Sequence, residues 1–195
     1  MNITVTTEKQ FESDIESFLL SDKGGYTKGS GTYDPKLGVY PDKLVSFIKR
    51  TQPREWAVFA RQNDTDPVRK FCLAFYNACD MDGVLHVLRN GFKHRGTAFK
   101  VCYFKPESAL NDTAQTLYVE NEVECYRQWH YSADTKKSVD MALVVNGIPV
   151  FAFELKNQYT GQNVDNAQNQ WMYDRDQREV CFQFNRRIRR NIMRL

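Results

Sequence analysis

Asp140, Glu154 and Lys156 lie within one apolar stretch, VDMALVVNGIPVFAFELKN. Two carboxylates held close together repel each other, and both stay ionised when a cation sits between them. Oxygen ligands with open coordination positions suit Mg²⁺, with Mn²⁺ as a substitute. Such a metal binds a phosphate oxygen and lowers the pKa of a bound water. A lysine beside it orients that water or neutralises charge on a pentacovalent phosphate. This is the chemistry of phosphodiester hydrolysis. As bare text the pattern is common, and a hairpin with solvated charges at its ends would also carry it. The elements that position the three residues must therefore decide.

Two apolar runs flank Asn146-Gly147-Ile148-Pro149, which reads as a β-hairpin. With a three-residue loop over 146–148, Val145 faces Pro149 and Asp140 faces Glu154. Directly opposed residues share a face. Alternation then gives Asp140, Ala142, Val144, Val150, Ala152, Glu154 and Lys156 one face, and Met141, Leu143, Val145, Phe151, Phe153 and Leu155 the other. One face is bulky and wholly apolar, while the other sets two carboxylates and an amine beside small alanines. A two-residue Asn-Gly turn would instead oppose Asp140 to Phe153 and split the carboxylates across the sheet.

Around this hairpin the chain reads as helices first, then a sheet, then a helix and a strand. Phe11, Ile15, Phe18 and Leu19 have helical spacing over 8–20, and residues 21–38 form a glycine-rich loop. Pro41 and Pro67 open two further helices. WAVFA at 56–60 reads as a short strand. The Asp82-Gly83 turn leads into a predicted hairpin of VLHVL with AFKVCYF, and 117–131 reads as a long strand or a bent pair. A helix is expected near 164–176 and a last strand at EVCFQF. The fold class is α/β (α+β): one domain over 1–185, core about 84–185, with a mixed β-sheet flanked by helices and an N-terminal helical extension.

The 195 residues suffice for one domain with its own core, and no apolar run is long enough to span a bilayer. MNITVTTEKQ lacks the pattern of a signal peptide. Five cysteines, odd in number and without a CxxC pair, read as reduced thiols of a cytoplasmic protein. The net charge is +3, yet the last ten residues alone hold five arginines, so the preceding 185 carry about −2. Residues 186–195 read as a basic, disordered tail. There is no GxxxxGK[ST], GxSxG or HExxH, which excludes a P-loop motor, a serine-hydrolase elbow and a zincin.

KSVDMALVVNGIPVFAFELKNQYTGQ and YDRDQREVCFQF resemble the N-terminal nuclease domain of the R (restriction) subunit of type I restriction–modification enzymes. QPREWAVF, DGVLHVLRNGFK, YFKPES and NEVECYRQWHYS extend the likeness over about residues 8–188. The resemblance implies a restriction-endonuclease-like core of the PD-(D/E)xK class. It also implies a Mg²⁺-dependent endonuclease domain that cleaves duplex DNA in defence against foreign DNA. Asp140, Glu154 and Lys156 match the family's acid, acid and lysine, with the carbonyl of Leu155 a further metal ligand. Gln170 matches the Gln of a Gln-x-x-x-Tyr element. Position 174 is Asp rather than Tyr, and Tyr173 and Trp171 stand nearby. Lys156, Gln170 and Tyr173 become candidate DNA contacts. Glu12, ahead of Glu16, is the early-helix acid that could complete the site. The implied partners are modification and specificity subunits, together with motor domains that normally share the chain and are absent here. ATP and S-adenosylmethionine would bind only to those other parts.

The rival reading is a catalytically silent docking or DNA-binding module of the same complex. A solvated turn is the plainer reading of Lys93, His94 and Arg95, which could otherwise touch phosphate. Arg127 and Gln128 are expected on opposite faces of a strand, so at most one would line the site. Trp129 and Tyr131 read as core.

Overall fold

The computed structural model describes residues 8–108, 110–156, 179–183 and 189–194. The first helix is α1 (Glu8–Leu19), followed by a short strand β1 (Thr27–Lys28). A helical layer comes next: α2 (Pro41–Thr51), α3 (Pro53–Gln62), α4 (Pro67–Asp82) and α5 (Val84–Asn90). A small hairpin, β2 (Phe92–His94) and β3 (Thr97–Phe99), and helix α6 (Asp112–Val119) lead into the long strands. These are β4 (Val123–His130), β5 (Ser138–Val145) and β6 (Ile148–Lys156), with β7 (Arg189–Arg194) last.

The main sheet is mixed, with order β1-β4-β5-β6-β7. Strands β4, β5 and β6 are antiparallel neighbours, while β1 and β7 run parallel to β4 and β6. The fold is thus α/β, as the sequence pattern implies. The end of the chain expected as a disordered tail carries β7.

Proline explains three of the helix starts. Pro41, Pro53 and Pro67 each occupy a first-turn position, where the missing N–H costs nothing. Asp66 caps α4 by accepting the Arg69 N–H at 3.1 Å.

Three expected strands prove to be helical. EVCFQF holds a single 3₁₀ turn, Val180–Phe182, and the helix expected near 164–176 lies outside the described residues. WAVFA lies inside α3, because Trp56 and Phe59 are one turn apart and Phe59 packs inward against Phe71 and Phe99. VLHVL is α5, whose buried Val84, Val87 and Leu88 follow helical spacing between Gly83 and Gly91. Only the tip of the expected hairpin survives, as β2–β3 around Arg95-Gly96. Residues 117–131 divide between the end of α6 and β4.

The two faces of the sheet bury different layers. Met141, Leu143, Phe153 and Leu155 pack with Cys125 against Phe11, Ile15 and Leu19 of α1. Ala142, Val144 and Ala152 pack on the other face with Tyr40, Trp129, Tyr131, Cys181 and Phe182. The α2–α5 layer has its own aromatic core, and Ile148 of β6 joins it to the sheet.

The β5–β6 turn docks on the start of α2. The N–H of Tyr40 donates to the Gly147 carbonyl at 2.8 Å. A Cβ at Gly147, where φ is +79°, would come within 2.7 Å of the Tyr40 carbonyl oxygen and 2.8 Å of the Leu44 nitrogen. Gly147→Ala should therefore cost about 2 to 3 kcal/mol from left-handed strain and overpacking against fixed backbone. A urea titration checks this, with the midpoint falling and the slope unchanged.

Candidate active site

The hairpin register is more elaborate than a three-residue loop. Val145 pairs with Ile148 across a two-residue Asn146-Gly147 turn, and Val144 pairs with Pro149. Asn146 and Gly147 both have positive φ, +50° and +79°, as this turn requires. The register then shifts by one residue, so that Leu143 pairs with Phe151, Ala142 with Ala152 and Met141 with Phe153. Val150 is the extra residue of a β-bulge. The expected pairing of Val145 with Pro149 is therefore incorrect, while the pairs expected from 141 to 143 are the ones found.

Beyond Met141–Phe153 the ladder between β5 and β6 stops, although both strands continue. Residues 138 and 139 remain paired to β4, and 154–156 are paired to β7. The strands part where Asp140 and Glu154 stand. The Asp140 carboxylate spans the opening, with its Oδ2 accepting the Leu155 N–H at 2.7 Å. Glu154 beside it is only 4% exposed, and Lys156 is the last residue of β6. An aspartate and a buried glutamate at a parting of two strands form a hard-oxygen donor set of the kind Mg²⁺ takes. Among the described residues, no group of three or more His, Cys, Asp and Glu side chains is placed to hold a metal ion. Gln170 and Tyr173 lie outside the described residues.

Glu12 is 6% exposed and engaged on both carboxylate oxygens. Arg127 donates to Oε2 at 3.0 Å and Gln128 to Oε1 at 2.9 Å. A second Arg127 nitrogen donates to Glu16 at 3.0 Å. These bonds hold Arg127 even further in its charged form, through Glu16 first and Glu12 second. The polar clamp fastens α1 to β4. Both carboxylate oxygens of Glu12 thus take part in the clamp.

Arg127 and Gln128 thus both reach α1, against the expectation from strand alternation. The cause is local: Gln128 has φ +47°, which breaks the alternation. Trp129 consequently falls into the cluster on the opposite face, 3% exposed, and Tyr131 is buried with it. Both belong to the core, as expected. No alternation rule applied to the sequence would find the clamp, since nothing in RQW marks a left-handed residue.

Sequence reading also missed the role of Asn146, which is 1% exposed. Its Nδ2 donates to the Val101 carbonyl and to Asn121 Oδ1, both at 2.9 Å. Its Oδ1 accepts the Glu122 N–H at 2.8 Å. Asn121 in turn bonds both backbone polar groups of Tyr103. The turn is therefore tied to the segments before and after α6.

The domain is α/β, and the β5–β6 ladder of its mixed sheet ends beside two acids. A family model described as "Type I restriction enzyme R protein N terminus" matches residues 73–190, more than half of the chain and the whole of the hairpin. The chain belongs to that family, the N-terminal domain of the type I restriction enzyme R protein. No curated protein and no solved structure matched it. No described helix is long and apolar enough to cross a membrane.

Proposed function

We propose that this chain is the DNA-cleaving domain of a type I restriction enzyme and hydrolyses phosphodiester bonds of duplex DNA with Mg²⁺. The observation that carries the proposal is the parting of β5 and β6 at Asp140 and Glu154, bridged by the Asp140–Leu155 hydrogen bond. Asp140 and Glu154 are assigned as metal ligands, with the Leu155 carbonyl a third donor. The metal supplies Lewis acidity at the scissile phosphate. The Leu155 N–H fixes Asp140, so its carboxylate is oriented before any ligand arrives. Burial of Glu154 keeps competing water away. Lys156, two residues along the strand, stabilises the charge that develops on the phosphate. Gln170 and Tyr173 are assigned to the DNA backbone. The modification and specificity subunits, and the motor that feeds DNA, are the proposed partners.

Mn²⁺ binding in the presence of a short duplex, followed by electron paramagnetic resonance, tests the assignment. Asp140→Ala and Glu154→Ala should each weaken binding by at least tenfold. Equal binding in all three proteins would instead favour the silent docking module.

A further inference from the structure

The molecule carries a second feature, on the side of the helical layer. Residues 84–100 contain Arg89, Lys93, Arg95 and Lys100 and no Asp or Glu. This is a local charge of +4 in a body of about −2, so the rest of the body is more acidic still. The four cations lie on α5, the β2–β3 hairpin and the residue after it, and of them Lys93 lines a groove beside this segment. Helices α4 and α5 and the β2–β3 hairpin line this open groove of about 570 Å³, bordered among others by Asn77, His86, Asn90, Lys93 and His94. Lys93 is exposed on its wall. The Lys100 ammonium donates to the Arg89 carbonyl at 3.2 Å, which holds it at the end of α5. Asp82 is the one carboxylate of the lining.

Arg95 forms the tip of the hairpin. Lys93 pairs with Ala98 and His94 with Thr97, so Arg95-Gly96 is a two-residue turn. Arg95 sits there at φ +46°, a conformation that favours Asn or Gly and costs an arginine about 1 kcal/mol. The fold accepts that cost and presents a cation at an exposed point. Among the described residues, Lys93, Arg95 and Arg89, like most of the lysines and arginines, have no carboxylate within ion-pair distance. Three unpaired cations in a segment that holds no Asp or Glu complement a polyanion. Asn77, Asn90 and His86 add further hydrogen-bonding groups, as phosphate- and sugar-contacting surfaces do.

We infer that the β2–β3 hairpin and the groove behind it form a DNA-backbone docking surface, separate from the cleavage site, with Lys93 and Arg95 each contacting a phosphate. This rests on the proposed DNA-cleaving function, naming where the duplex is held rather than cut. Binding there is independent of sequence and of metal.

Fluorescence anisotropy with a labelled 30-base-pair duplex in EDTA, over a salt series, tests the inference. Removing two phosphate contacts should lower the slope of log K against log salt by about 1.8 and weaken binding about tenfold or more. Lys93→Ala/Arg95→Ala should show this, with an unchanged melting temperature and unchanged Mn²⁺ binding. Asp140→Ala should bind the duplex as the wild type does. A double variant that keeps the wild-type affinity and slope overturns the docking surface, whatever the state of the metal site; that outcome would favour an acidic protein partner for the patch. Loss of Mn²⁺ dependence alone leaves the docking surface standing and overturns only the cleavage reading.

Discussion

Asp140→Asn should lower Mg²⁺-dependent DNA cleavage by about a thousandfold while leaving the fold intact. The substitution keeps the shape of the side chain, and its amide oxygen still accepts the Leu155 N–H that Asp140 accepts at 2.7 Å. What disappears is the negative charge. A divalent ion held by two carboxylates loses half its anionic ligand charge, and one removed electrostatic contact at a reacting centre is worth about 10² to 10³ in rate. The measurement is nicking and linearisation of a supercoiled plasmid by the reconstituted restriction complex, with thermal melting of the variant as a fold control. Cleavage within a few-fold of the wild type, with unchanged melting, would remove Asp140 from the site. Glu154→Gln should behave alike. Glu12→Gln should differ, lowering stability through the Arg127 and Gln128 clamp rather than metal affinity.

The largest stability effect away from the aromatic core is expected at Asn146. Truncation to Ala removes three buried hydrogen bonds and leaves the Val101 carbonyl and the Glu122 N–H without that partner. Each orphaned buried group costs about 1 to 3 kcal/mol. Alanine also inherits the positive φ that Asn tolerates. Together these give about 4 kcal/mol, or a fall of about 10 °C in melting temperature for a chain of this size. Asn146→Gly separates the two causes, because it relieves the backbone and still loses the bonds; it should recover about 1 kcal/mol. Asn146→Asp keeps an acceptor for Glu122 but sets a carboxylate against the Val101 carbonyl, so it should be no better than Ala. A loss below about 1 kcal/mol for Ala would show that water replaces the amide there.

The parts of the structure legible in the sequence are those set by strong periodicity. α1, α2 and α4 follow from apolar spacing and proline starts, and the two faces of β5 and β6 follow from alternation except at Val150, which was expected beside Ala142 and packs with Phe151 on the other side. The pairing of Ala142 with Ala152 and Met141 with Phe153 follows from asking which register segregates charge from bulk. Short apolar runs were ambiguous. WAVFA and VLHVL hold as many β-branched and aromatic residues as a strand does, and only their docking on Phe71 and its neighbours makes them helical. The Glu12 clamp was out of reach for another reason. It depends on one left-handed residue, Gln128, in the middle of a strand, and on ion pairs between residues more than a hundred positions apart.

The bulge at Val150 places a local preference and a global one in open conflict. Asn-Gly favours a two-residue turn, and a regular ladder from that turn would oppose Asp140 to Phe153. Glu154 and Lys156 would then face the apolar surface beneath α1, while Phe153 moved to the other side. Burying those charges there costs more than one irregular pair in the ladder. The strand therefore keeps one residue too many, and the frustration is confined to a single position. A chain with apolar residues at 154 and 156 would lose the penalty that enforces the offset and could settle into the regular ladder. The irregularity in β6 is thus a consequence of the charges it carries, four and six residues further along the strand.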